Sequence, residues 1–188
     1  FDTLKELSLY GRAQAKQKNK TLRLGVTTNG TLLSDDVLDF LFKHNISINL
    51  SLDGRPETQD ANRKTVTGEG SFGLVDDVID RVLARNPSQG VRMTYDTQSV
   101  HTLYADHEYL WSRGFTNTSP IAAMEDTWTD ATFAVAKDQY WRLAGAVLDR
   151  MRAGDMRQVG FLSKYIGRLH SQQQRLRIPC GVCGGYIG

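Results

Sequence analysis

Cysteine is scarce in this chain: the 188 residues hold two, at positions 180 and 183. Two thiols cannot build the disulfide framework of a small secreted domain, and a structural zinc or a four-iron cluster needs about four ligands. The four histidines, His44, His101, His107 and His170, show no metal-ligand spacing and are expected at helix ends and on the surface. Long apolar runs are missing too. None approaches the roughly 18 residues of a membrane span, and no signal peptide is visible at Phe1. Charge of one sign is also lacking, with a net value of +2. The densest basic stretch, Arg12 to Lys20, is broken by Ala, Gln and Asn, so it reads as a solvated helix end rather than a nucleic-acid groove. Gly68-Glu69-Gly70 lacks the rest of a dinucleotide fingerprint and no Lys-Ser/Thr pair follows it, which leaves a helix entrance as the simpler reading. What remains is a globular chain, 40% hydrophobic, able to bury about 70% of its unfolded surface in one core.

Two polar clusters carry most of the information present. Leu22, Leu24 and Val26 alternate with polar residues before Thr27-Thr28-Asn29-Gly30, and Ile46, Ile48, Leu50 and Leu52 alternate before Ser51-Leu52-Asp53-Gly54. Between them Ser34 suits an N-cap, Asp35 and Asp36 the positive end of a helix, and Val37, Leu38, Phe40 and Leu41 its apolar face. The unit is βαβ, so its strands are parallel and their carboxyl ends open into loops where ligands sit.

The alternation continues. Phe72, Val75, Val78, Ile79, Val82 and Leu83 predict a helix stopping near Asn86-Pro87, and Val91, Met93 and Tyr95 a third strand. A short helix through Leu103, Tyr104, Leu110 and Trp111 ends at Gly114, and a fourth strand follows from about Phe115, with Pro120 best tolerated at an edge. Leu4, Leu7, Tyr10 and Ala13 mark a helix at the start. Trp128-Thr129-Asp130 reads as loop, Phe133 to Met151 as a long helix with Tyr140, Leu143, Ala144, Val147 and Leu148 inward, and Phe161 to Leu169 as another after Gly154.

Thr28-Asn29-Gly30-Thr31-Leu32, Ser51-Leu52-Asp53-Gly54, Asp60-Ala61-Asn62-Arg63, Gly68-Glu69-Gly70-Ser71-Phe72, Arg113-Gly114-Phe115 and Pro179-Cys180-Gly181 follow one another over most of the chain. In order and spacing they resemble the radical S-adenosylmethionine enzymes that carry a cysteine-rich C-terminal extension, the SPASM-type maturases of sulfatases and ribosomal peptides. The family's Cys-x-x-x-Cys-x-x-Cys loop and Gly-Gly-Glu segment are not in this sequence, so the resemblance implies an internal portion of such an enzyme. The implied fold is α/β, a partial (β/α)6 barrel with parallel strands over residues 1–127. A helical segment over 128–178 and the start of the cysteine-rich extension over 179–188 would follow.

The resemblance also implies a site. Thr28 and Asn29, Ser51 and Asp53, Thr94 and Asp96, and Glu125 reach one rim of the barrel. There Ser51 and Arg63 fall on the methionine and ribose side of S-adenosylmethionine, and Asn29 and Asp53 shape the rim. Asn29-Gly30 and Asp53-Gly54 are also ordinary turn dipeptides. Glu125 is the candidate proton acceptor during substrate oxidation; Asp96 reads better as a solvated rim carboxylate. Cys180 is the candidate ligand of an auxiliary 4Fe-4S cluster, with Cys183 the weaker second ligand. The implied chemistry is hydrogen abstraction from a protein or peptide by a 5′-deoxyadenosyl radical. Its 4Fe-4S cluster would be held outside this sequence, leaving these residues inactive alone. Electrons would come from a flavodoxin or ferredoxin, in a reducing cytoplasm, with neither nucleic acid nor membrane as partner. A non-catalytic βα domain binding a peptide or adenine nucleotide is the alternative, and a thiol oxidoreductase using Cys180 and Cys183 a weaker third.

Overall fold

The computed structural model describes residues 1–160, 162 and 163. Its order is α1 (Asp2–Gln17), β1 (Leu24–Thr28), α2 (Asp35–Lys43), β2 (Ile46–Ser51), α3 (Pro56–Asn62), α4 (Asp76–Arg85), β3 (Gly90–Tyr95), α5 (Leu103–Ser112), β4 (Asn117–Ala122), α6 (Asp130–Arg152) and β5 (Gln158–Val159). The strands form one parallel sheet in the order β1-β2-β3-β4-β5. Each strand therefore pairs with the next in sequence, the succession that parallel crossovers through helices generate.

The local chemistry follows the pattern of the sequence. Ser34 caps α2, its hydroxyl accepting from the Val37 N–H at 3.4 Å. Ile46, Ile48 and Leu50 of β2 and Val91, Met93 and Tyr95 of β3 are buried on one face, against Leu38 and Leu41 of α2 and Val78, Ile79 and Val82 of α4. Leu110, Trp111 and Phe115 extend that core towards Leu143 and Val147 of α6. Gly114 closes α5 with a left-handed φ of 107°. Pro120 sits inside the sheet between β3 and β5, not on an outer strand. It is tolerated because Ala123 donates to Tyr95 O, so the alternating Pro120 position faces β5, which pairs only at Asn117 and Thr118.

Several elements differ from expectation. α3 and the short β5 are not announced by periodicity: α3 is seven residues started by Pro56 at its first position, and β5 only two residues. The helix at Phe72 begins as a 3₁₀ turn, Phe72–Leu74, before α4. Thr129 is not plain loop but caps α6 in a reciprocal box with Thr132. Leu148 is exposed, and Ala136 and Gln139 take inward positions instead. α1 forms, yet Leu7 and Tyr10 are exposed; Phe1 packs edge-on against Phe40 of α2, and Arg12 donates to the His44 carbonyl. His107 is fully buried in α5 rather than at the surface. Among the described residues no helix is long and apolar enough to cross a membrane.

Burial alternates along every long strand, and this decides where a site can lie. The side chains that point away from the helices are Gly25 and Thr27, Ser47, Asn49 and Ser51, Arg92 and Thr94, and Asn117, Ser119 and Ile121. Parallel sheets are ordinarily covered on both faces by apolar layers. Here one face is covered and the other is open, and nearly every side chain on the open face is polar.

Candidate functional site

The loops at the carboxyl ends of the strands converge at one end of the sheet, as parallel βα units require. After β1, Asn29 makes an Asx turn: its Oδ1 accepts from the Thr31 N–H at 3.2 Å and the Thr31 hydroxyl at 3.0 Å, while Thr28 Oγ1 accepts from the Gly30 N–H at 3.1 Å. Asn29 stays exposed at the rim, its oxygen engaged locally.

After β2, Asp53 is 3% exposed and is the hub of the rim. Arg63 grips it in a fork, Nε to Oδ2 and Nη2 to Oδ1, both at 2.9 Å; the Thr94 N–H of β3 donates to Oδ1, also at 2.9 Å. Asp53 in turn donates its N–H to Gln59 Oε1 at 2.8 Å, and Gln59 Nε2 reaches Ser71 Oγ at 3.3 Å. Asp60 accepts from the Phe72 N–H at 2.7 Å, with Gly70 so close that a Cβ there would strike the Asp60 carboxylate. The segments that the sequence sets apart, around Asp53, Asp60, Arg63 and Gly70-Ser71, are therefore one interlocked structure that fixes the loop after β2.

A second buried carboxylate, Asp106 of α5, lies directly beneath Gly54. It accepts from the Arg55 N–H and Nε at 3.0 and 2.9 Å, from Thr58 Oγ1 at 2.9 Å, and from Thr102 Oγ1 at 2.6 Å. Gly54 has φ of 138° and its missing side chain leaves room for that carboxylate, so the Asp53-Gly54 turn requires glycine. Nothing in the helical pattern around Leu103 to Trp111 distinguishes Asp106 from a solvated helix charge.

Ser51 ends β2 on the open face, and its hydroxyl makes no hydrogen bond to the described residues. Thr94 stands on the same face, two residues beyond Arg92. Asp96 spends its Oδ1 on the N–H groups of Gln98 and Ser99 and on the Ser99 hydroxyl, an ordered turn and not a free base. Glu125 is exposed on the turn after β4; its neighbour Asp126 is the bound carboxylate, accepting from the Thr97 N–H at 2.7 Å and the Thr127 N–H at 2.8 Å. Those bonds, chiefly from Thr97, hold Asp126 below the usual carboxylate range. The structure thus gathers Asn29, Ser51, Asp53, Arg63 and Glu125 at one end of the sheet, but as parts with different duties.

Behind the rim, on the helix side, an apolar cavity of about 730 Å³ opens between β3, β4 and α6, lined by Tyr95, Ala122, Trp128, Phe133, Tyr140 and Leu162 among others. The Tyr95 and Tyr140 hydroxyls meet at 2.6 Å, and burial pushes both phenols up. Among the described residues no three His, Cys, Asp or Glu side chains come close enough to hold a metal ion. Cys180 and Cys183 lie outside the described residues.

A parallel sheet with helices on one face, an open polar face on the other and a loop rim at its strand ends defines part of an α/β barrel. The chain is 36% identical over 73 residues, 37% of its length, to the serine-type anaerobic sulfatase-maturating enzyme of Bacteroides thetaiotaomicron, and the match spans 18% of that enzyme. Its fold matches the solved structure of native anSMEcpe with bound AdoMet at a TM-score of 0.74 and 16% identity, covering 87% of this chain and 47% of that one. The same protein with bound AdoMet and Cp18Cys peptide matches equally, at 0.74 and 15% identity. No family model matches the chain. The resemblance carried by the motifs therefore holds: this chain is related in sequence to a sulfatase-maturating enzyme over part of its length and shares the maturase fold over most of it. It spans less than half the length of these relatives.

Proposed function

We propose that this chain forms part of a radical S-adenosylmethionine maturase, contributing a cofactor- and substrate-facing portion of its barrel and acting on a protein or peptide. The observation that carries the reading is the open, polar face of the sheet beneath the rim loops. A face of Thr, Asn, Ser and Arg is suited to a solvated ligand rather than to a packed core. Its chemistry fits S-adenosylmethionine, which needs hydroxyl and amide partners, a cation for its carboxylate and acceptors for its amine. Support comes also from relatives whose solved structures hold AdoMet and a peptide.

Within that reading, Ser51 and Asn29 offer hydrogen bonds to the cofactor, and the Asp53–Arg63 pair holds the loop against which it lies. Glu125, exposed beyond β4, is assigned the role of proton acceptor from the substrate. S-Adenosylmethionine on this face, with a reduced 4Fe-4S cluster held outside the described residues, would supply the one-electron chemistry for removing a hydrogen atom from a substrate. The described residues offer no ligand set for such a cluster. Cys180, with Cys183 second, is assigned to an auxiliary cluster, and the electron donor to the class of flavodoxins or ferredoxins. Oxygen-sensitive clusters suit a reducing cytoplasm.

After anaerobic treatment with iron and sulfide, the 188 residues alone are expected to release no 5′-deoxyadenosine from S-adenosylmethionine and dithionite. They contain two cysteines, and neither stands in a three-cysteine loop. Joined to coding sequence that supplies this loop before Phe1, the protein is expected to release it. Release by the 188 residues alone would overturn the assignment of the cluster. Binding without any release by the longer protein would favour a non-catalytic adenine-binding domain.

A further inference from the structure

Of the chain's seven asparagines, Asn29 alone precedes a glycine. The backbone nitrogen of the following residue can attack an asparagine's side-chain carbonyl carbon and close a five-membered ring, and proximity makes that step unimolecular. Glycine hinders the attack least, having no Cβ. The fold keeps this glycine in place: Gly30 has φ of 89°, and a Cβ there would come within 3.0 Å of Leu50 Cδ1.

The turn around the pair favours the attack. Asn29 Oδ1 accepts from the Thr31 N–H at 3.2 Å and from the Thr31 hydroxyl at 3.0 Å. Because an N–H can only donate, it is the oxygen of the amide, not its nitrogen, that faces Thr31. Both donors therefore point at the atom on which negative charge gathers as the carbonyl carbon becomes tetrahedral, the arrangement of an oxyanion hole. The amide nitrogen is the leaving group. It makes no hydrogen bond to any described residue, and the side chain is exposed, so ammonia departs into solvent. The nucleophile must lose a proton, and the Gly30 N–H already donates to Thr28 Oγ1 at 3.1 Å. That hydroxyl belongs to a half-buried residue and passes its own proton on to water.

We propose that Asn29 is a self-modifying site, where the Gly30 nitrogen displaces ammonia from the side-chain amide and water opens the resulting succinimide to a carboxylate. The bond from Gly30 N to Asn29 Cγ forms and the bond from Cγ to Nδ2 breaks. The proton lost by Gly30 is balanced by one that the leaving nitrogen takes from water, and nothing is oxidised or reduced. Water then adds across either imide bond. Opening at the backbone carbonyl gives isoaspartate, which inserts a methylene into the main chain just before the turn from Gly30 O to the Leu33 N–H. Either product places a negative charge on the rim where the amide is neutral. The Asp53-Gly54 pair can close the same ring but is held against it. Its carboxylate is 3% exposed, Arg63 binds both oxygens, and the Thr94 N–H holds Oδ1 as well. An ionised carboxylate so held is a poor electrophile. The inference stands independently of the function proposed above.

Incubation of the 188-residue chain in mildly alkaline buffer, followed by peptide mapping with mass spectrometry and enzymatic methylation of isoaspartate, reads the site directly. The folded chain is expected to convert Asn29 faster than a synthetic peptide of residues 24–34 does, at a rate that rises with pH. Thr31→Val removes one donor at an exposed position and is expected to slow conversion about two- to tenfold, the rate equivalent of one ordinary hydrogen bond. Asn29→Gln would have to close a six-membered ring and is expected to abolish the signal. Both variants should keep native far-ultraviolet circular dichroism. Slower conversion in the folded chain than in the peptide would mean that the turn protects the amide, and overturns the proposal. So does an unchanged rate in Thr31→Val. Isoaspartate as abundant at Asp53 as at position 29 would also overturn it, because the dipeptide and not the surrounding geometry would then decide.

Discussion

Replacing Asp106 with Ala is expected to destabilise the fold by about 3 kcal/mol, the lower part of the range for breaking a buried ion pair. The carboxylate is 1% exposed and joins three segments: the backbone and guanidinium of Arg55 before α3, Thr58 within α3, and Thr102 at the start of α5. Its removal strands the Arg55 N–H and two hydroxyls, each of which loses an acceptor where water enters poorly. The value falls at the low end because the Arg55 side chain is 35% exposed and can turn to solvent. For a chain of this size the melting temperature should fall by roughly 6–12 °C. Asp106→Asn should cost less, since it keeps the shape and one acceptor oxygen. Urea titration of both variants checks the ranking; equal stability of Asp106→Ala and the wild type would show that Gly54 and α3 are held by other contacts.

Much of this arrangement was legible in the sequence for a physical reason. Strands β1, β2 and β3 alternate strictly, and a half-covered parallel sheet imposes that period on each. The same alternation held the open face in plain view, since Asn49, Ser51, Arg92 and Thr94 are the residues between the apolar ones. Arg92, between Val91 and Met93, reads in sequence as an ordinary solvated strand residue; only the pairing register puts it beside Ser51 and Ser119. Motif segments mislead differently. Arg63 and Asp53 stand ten residues apart, and spacing cannot say whether they face a ligand or each other. The fold answers because Pro56 begins a short helix that brings Arg63 back to the end of β2. Short elements such as α3 and β5 carry too few residues to show a period at all. Asp106 and His107 illustrate the remaining blind spot: on a helix packed on more than one side, neighbouring polar residues can both be buried, and polarity no longer marks the outer face.

His107 gives that blind spot a measurable consequence, because a buried imidazole makes stability depend on pH. Its Nδ1 donates to the Leu103 carbonyl at 2.7 Å, which leaves Nε2 the unprotonated nitrogen, and Nε2 has no partner. Trp111 packs edge-on against the ring at 6.0 Å. Burial lowers its pKa from 6.5 to about 4, outweighing the bond to Leu103 and the nearby Asp106, both of which favour the cation. The unfolded chain protonates this histidine near 6.5 while the folded one stays neutral, so between these values the unfolded state binds more protons. The stabilisation is complete above about pH 6.5 and is lost as pH falls towards 4, amounting to about 3 kcal/mol at 1.36 kcal/mol per unit. His107→Met keeps a large apolar side chain and removes the titration. Urea denaturation of both proteins at intervals from pH 7 to pH 4 should show the wild type losing about 3 kcal/mol more than the Met variant, with the gap opening below 6.5. Parallel pH profiles would mean that His107 is reached by water in the folded state and titrates there as it does in the unfolded chain.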